Sequence, residues 1–116
     1  MLFRSDLVLA EAGNRLRSCT RKADTVARMG GDEFIGVCGR ISTPRDAAIV
    51  AEKILELLSE PFHVKGHVCA ISASVGISIF PKDGDDAETL VNKADAAIYC
   101  VKNNGKGGYA FSSPVD

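Results

Sequence analysis

A chain of 116 residues with a formal net charge of −1 is long enough for one domain with one core, and its near-neutral balance gives no bulk electrostatic grip on nucleic acid or an anionic membrane. Its apolar content of 46% and charged content of 25% are ordinary for a globular chain. No apolar run approaches the ~20 residues that a membrane span requires.

The opening residues Met1–Ser5 are too short for a signal peptide. A first helix is expected from Asp6, a plausible N-cap, to about Cys19, with Leu9, Ala12, Leu16 and Cys19 at helical spacing. Two extended segments follow, Asp24–Met29 and Phe34–Cys38, separated by Gly30-Gly31-Asp32-Glu33. They read as a β-hairpin with glycines and carboxylates at its tip. Thr43-Pro44-Arg45-Asp46 combines a capping hydroxyl, a first-turn proline and an acid three residues on, and predicts a helix to about Ser59. Ala47, Val50, Ala51, Ile54 and Leu58 would form its buried face, and Pro61 would end it.

A second hairpin is expected, with Phe62–Val64 as one arm and a long second arm from Val68 to Phe80. In that arm Ala73, Val75, Ile77 and Ile79 alternate with Ser72, Ser74, Gly76 and Ser78. Gly76 within it predicts a bulge or the close approach of another backbone. Asp85 or Asp86 can cap a last helix that buries Leu90, Val91, Ala94, Ala97, Ile98 and Val101 and stops near Asn103-Asn104-Gly105. Tyr109–Phe111 would add a short edge strand. Helices alternating with hairpins predict an α+β fold, an antiparallel-rich sheet flanked by helices.

Cys19, Cys38, Cys69 and Cys100 are scattered, with no Cys-x-x-Cys pair. They are expected as small buried hydrophobes in a reducing cytoplasm, not as zinc ligands or disulfides. His63 and His67 flank a turn, but no cysteine or carboxylate joins them at ligand spacing, which argues against a metal role.

The chemistry concentrates at residues 30–34. Gly30 and Gly31, lacking Cβ atoms, let the backbone turn tightly and approach a phosphate closely. Asp32 and Glu33 set two carboxylates beside that turn, the donor type a hard divalent cation prefers. Taken alone, Gly-Gly followed by acids also describes a common solvated turn.

From Asp6 to about Tyr109 the chain resembles the GGDEF family, the diguanylate cyclases. Gly30-Gly31-Asp32-Glu33-Phe34 carries the resemblance, preceded by Asp24-Thr25-Val26-Ala27-Arg28. Ser74-Val75-Gly76-Ile77, Ala94-Asp95-Ala96-Ala97-Ile98-Tyr99 and Val101-Lys102-Asn103-Asn104-Gly105-Lys106 follow in the family's order. The resemblance implies a nucleotidyl-cyclase palm of ferredoxin-like type, and a reaction in which two facing domains condense two GTP into cyclic di-GMP and pyrophosphate. It implies Mg²⁺ or Mn²⁺ held by Asp32 and Glu33, with both residues catalytic. Gly30 and Gly31 would give the nucleotide room, Asp6 would accept from the guanine edge, and Lys102 and Lys106 would reach the phosphates.

Arg21-Lys22-Ala23-Asp24 stands in the register of the family's inhibitory site. There Arg21 would clamp guanine and phosphate of the product and Asp24 would take a guanine N–H. Simpler roles remain open on the residues alone: an N-cap for Asp6, and solvated helix-end cations for the two lysines.

The chain departs from the family in three places. Lys106 stands where arginine is usual, keeping the charge but losing the planar fork. Ser5 replaces a glycine before Asp6. The family's first helix and central strand have no counterpart in Met1–Ser5, so residues 1–116 are expected to form a single GGDEF domain incomplete at its N-terminus. That would expose strand edges, which implies a homodimer, an element-exchanged oligomer or a partner. Alternatives to catalysis are an inactive cyclic di-GMP-binding module or a dimerisation remnant.

Overall fold

The computed structural model describes residues 4–19, 24–30, 33–39, 41–103 and 108–114, with the backbone alone at 4–6 and 28–30. In chain order these form α1 (Arg4–Ser18), β1 (Thr25–Gly30), β2 (Glu33–Val37), α2 (Pro44–Ser59), β3 (Phe62–Val64), β4 (His67–Cys69), β5 (Ser74–Ile77), α3 (Ala87–Asn103) and β6 (Gly108–Phe111). This is the expected α+β mixture, with three helices and two antiparallel pairs beside one parallel pair. The chain divides into two compact units: residues 1–40 with 56–71, and residues 41–55 with 72–116.

In the first unit α1 begins at Arg4, so Asp6 is its third residue instead of its cap. Val8, Ala12 and Leu16 are buried on one face of α1, as the 3.6-residue period requires. Phe62, fully buried, and Val64 point inward from β3. The tight turn joining β3 to β4 holds Lys65 at φ 50° and Gly66 at φ 78°, the pair of positive angles that matches strand twist in a two-residue hairpin loop. The register pairs His63 with Val68 and Val64 with His67. Directly opposed residues share a face, so the two histidines lie on opposite faces and do not converge.

Arg15 organises this unit. Its Nη1 donates to Leu57 O at 3.0 Å and Glu60 O at 2.7 Å, and its Nη2 donates to Pro61 O at 2.9 Å. The guanidinium also lies 3.7 Å from the Phe62 ring centroid. The last turn of α2 carries no basic residue, so Arg15 supplies a cation there, a donor to the last-turn carbonyl of Leu57 and donors to the two residues that follow the helix.

In the second unit β5 and β6 pair in parallel, Ser74 with Gly108 through Ile77 with Phe111, and α3 is the crossover between them. The long arm expected from Val68 to Phe80 is therefore two strands with different partners, β4 on β3 and β5 on β6. Gly76 makes the close approach foreseen for it: a Cβ there would lie 2.0 Å from Ala94 O. Ser78, two residues on and so on the same face, donates from Oγ to Leu90 O at 2.7 Å, one helical turn away.

Both capped helices start as their sequences imply. Asp46 Oδ2 accepts from Thr43 N–H at 3.2 Å and Ser42 N–H at 3.1 Å. Asp86 caps α3, accepting from Thr89 N–H at 2.7 Å and Thr89 Oγ at 3.0 Å. Those two bonds, the backbone one foremost, hold its carboxyl below the usual range.

Asp83 is the one buried charged side chain among the described residues, 3% exposed. Its carboxylate accepts from Ile79 N–H at 2.6 Å and from Ser113 Oγ, linking the turn after β5 to the segment after β6. Burial raises its pKa, but the Ser113 and Ile79 bonds, helped by Lys82, outweigh burial and hold the carboxyl below its ordinary value.

Candidate functional site

The β1–β2 hairpin is built by alternation. Thr25 pairs with Val37, Val26 with Gly36, Ala27 with Ile35 and Arg28 with Phe34. The register then shifts, and Gly30 pairs with Glu33. A shift of this kind bends the strand and re-aims side chains near a tip. Only residues 31 and 32 separate the two strands, so the hairpin tip carries Gly30 and Glu33 directly opposed. Glu33 is exposed there.

Phe34 fixes this tip to the rest of its unit. A Cβ on Gly13 would lie 3.2 Å from Phe34 Cε1, so the ring packs against α1 at a residue with no side chain to hold it away. Nothing in the sequence alone gives Phe34 a role of its own. A glycine seven residues beyond Asp6 is the signal that could have found this contact, but only with the helix–hairpin pairing already known.

At the other end of the hairpin Asp24 Oδ1 accepts from Gly39 N–H at 3.2 Å. Asp24 is half-buried and directly precedes β1, while Gly39 lies two residues beyond β2. Nothing in the sequence singled out Gly39.

Asp24 and Glu33 stand in the first unit, with Asp6 in the first turn of α1. Lys102 is exposed in the last turn of α3, in the second unit, where a cation also complements the helix dipole. Arg21, Gly31, Asp32 and Lys106 lie outside the described residues. Among the described residues no three His, Cys, Asp or Glu side chains cluster as a metal site.

Cys19, Cys38 and Cys69 are half-buried and Cys100 is exposed, all as free thiols, which corrects the expectation that all four are buried. Cys100 falls on the solvent face of α3 because Ala97 and Val101, not Cys100, continue the packed stripe. No helix among the described residues is long and apolar enough to cross a membrane.

The family described as "Diguanylate cyclase, GGDEF domain" matches residues 4–108. The bifunctional diguanylate cyclase/cyclic di-GMP phosphodiesterase MucR of Pseudomonas aeruginosa is 43% identical over 106 residues, covering 91% of this chain and 15% of MucR. The chain spans 15%, 13% and 14% of the first three curated relatives it matches. An EAL/GGDEF domain protein from M. capsulatus superposes with a TM-score of 0.85 at 42% identity, over 94% of this chain and 70% of that one. The GGDEF domain of YfiN (TpbB) from Pseudomonas aeruginosa superposes with a TM-score of 0.89 at 30% identity, over 94% and 68%. With its hairpin in register, its motif residues in order and nearly all of its length matched, the chain belongs to the GGDEF family of diguanylate cyclase domains.

Proposed function

We propose that this chain is a GTP-directed diguanylate cyclase domain working in the cytoplasm, with two copies facing each other and one GTP on each. The 3′-hydroxyl oxygen of one GTP bonds to the α-phosphorus of the other, the bond to the β-phosphate breaks, and pyrophosphate leaves. Repetition in the opposite sense closes cyclic di-GMP.

The observation that carries this reading is the hairpin ending in the Gly30–Glu33 pair, within a chain matched by the family over residues 4–108. Asp32 and Glu33 would hold Mg²⁺ or Mn²⁺. Glu33 fits that role as an exposed residue at the tip whose carboxylate is an oxygen donor suited to a hard cation. When bound, such an ion supplies charge neutralisation on the triphosphate. Gly30 and Gly31 leave space for the nucleotide, Asp6 accepts from the guanine edge, and Lys102 and Lys106 meet the phosphates. Free thiols accord with a reducing compartment.

The domain would also bind its product through Arg21 and Asp24. Asp24, a half-buried residue whose carboxylate is anchored by a backbone N–H, favours a binding role even without turnover, and this is the second reading.

One experiment separates the two. The purified chain is incubated with GTP and Mg²⁺, and cyclic di-GMP is read by mass spectrometry. Product that disappears in Asp32→Ala supports catalysis. No product, together with cyclic di-GMP binding that Arg21→Ala abolishes, supports the binding module. Neither product nor binding refutes both.

A further inference from the structure

We propose that Gly39 is a positioning residue for the cyclic di-GMP site, its amide holding the Asp24 carboxylate in the orientation that receives a guanine base. The assignment rests on the product-binding reading of Arg21 and Asp24 given above.

The β1–β2 ladder closes at its open end with the Thr25–Val37 pair. Beyond that pair the cross-strand link passes from backbone to side chain: Asp24 Oδ1 accepts from Gly39 N–H at 3.2 Å. Each rotamer-rich side chain that a ligand must order costs roughly 0.5–1.5 kcal/mol, a cost that is reduced when the carboxylate is held before the ligand arrives. The Gly39 N–H occupies one of about four acceptor positions on a carboxylate. A guanine base offers adjacent N–H donors on one edge, which a carboxylate held in a fixed plane can receive together. Pre-orientation of this kind raises affinity without adding a contact to the ligand.

The role belongs to the amide and not to the absence of a side chain. A Cβ at Gly39 would meet nothing within 4 Å, so a small side chain fits. Alanine retains the N–H, whereas proline removes it.

The test measures cyclic di-GMP affinity by titration calorimetry, and melting temperature, for the wild-type chain, Gly39→Ala and Gly39→Pro. Gly39→Ala is expected to bind within twofold of wild type and Gly39→Pro at least tenfold more weakly. A purely structural staple would lower the melting temperature of Gly39→Pro while leaving its affinity within twofold, and that result overturns the assignment.

Should Gly39→Pro fail to fold, the wild-type chain carries the test through amide exchange at Gly39 with and without ligand. Slower exchange on binding supports the assignment, and unchanged exchange overturns it. A wild-type chain that binds no cyclic di-GMP overturns the product-binding reading, and the assignment with it. Wild-type binding with undiminished affinity in Gly39→Pro overturns the assignment alone.

Discussion

Replacing Arg15 with alanine removes a cap that α2 does not carry in its own sequence. Three hydrogen bonds to Leu57, Glu60 and Pro61 carbonyls would be lost, together with the guanidinium resting on the Phe62 ring. The bond to Leu57 O is part-buried, so leaving that oxygen unpaired costs about 1.5 kcal/mol. The other two are solvent-exposed and count for roughly 0.5 kcal/mol each, because water replaces the lost donor. The ring contact adds about 0.5–1 kcal/mol. The Glu11 pair, at 3.8 Å and half-exposed, adds almost nothing.

Arg15→Ala should therefore cost about 3 kcal/mol, read as a shift of the urea midpoint with an unchanged slope. Arg15→Lys keeps the charge but cannot span three carbonyls, and should recover less than half of the loss. Amide exchange should accelerate chiefly in the last turn of α2 and around Phe62. A loss below about 1 kcal/mol, or a lysine variant as stable as wild type, would refute the cap.

Three further outcomes are expected, two from the geometry and one from the proposed function. Gly76→Ala would drive a methyl group into Ala94 O, 2.0 Å from the ideal Cβ, and should cost about 3 kcal/mol in urea titration; a loss under ~1 kcal/mol would mean that the strand and helix separate easily. Asp83 has a folded pKa below its unfolded value near ~3.9, so its stabilisation is fully present above that value and lost as pH falls through the folded pKa. Asp83→Asn should accordingly cost about 1–3 kcal/mol at pH 7, with the gap to wild type narrowing below pH ~4, and an equal gap at both pH values counts against it. On the proposed function, Lys106→Arg should lower KM for GTP by roughly threefold to tenfold, since a planar fork can engage phosphate oxygens in pairs; an unchanged or higher KM argues against a phosphate role.

The elements that sequence resolved are those whose signals are local. The Gly30–Glu33 tip, the Asp46 and Asp86 caps and the stripe of α3, half-buried except for the buried Ala97, all depend on residues close in sequence. The run from Val68 to Phe80 reads as one strand in sequence because alternation reports which face a residue takes, not which strand pairs with it. The switch of partner from β3 to β6 leaves no mark in that pattern. Arg15 and Asp83 were missed for a different reason. Arg15 meets backbone carbonyls 42 to 46 residues away, and carbonyls have no side-chain identity to read. Asp83 looks like an ordinary turn acid until Ser113, 30 residues on, closes over it. At the site itself, residue types were legible from the motif, while the Asp24–Gly39 bond and the seat of Phe34 against Gly13 needed coordinates.

The contact of Gly76 with α3 also decides how β5 can be aligned. A slip by one residue would turn Val75 or Ile77 toward the helix and reverse both faces of the strand. A slip by two would keep the faces but bring Ser74 or Ser78 against the Ala94 carbonyl, where even a Cβ does not fit. One residue without a side chain thus acts as an index mark, admitting a single alignment of β5 on α3, and with it of β6.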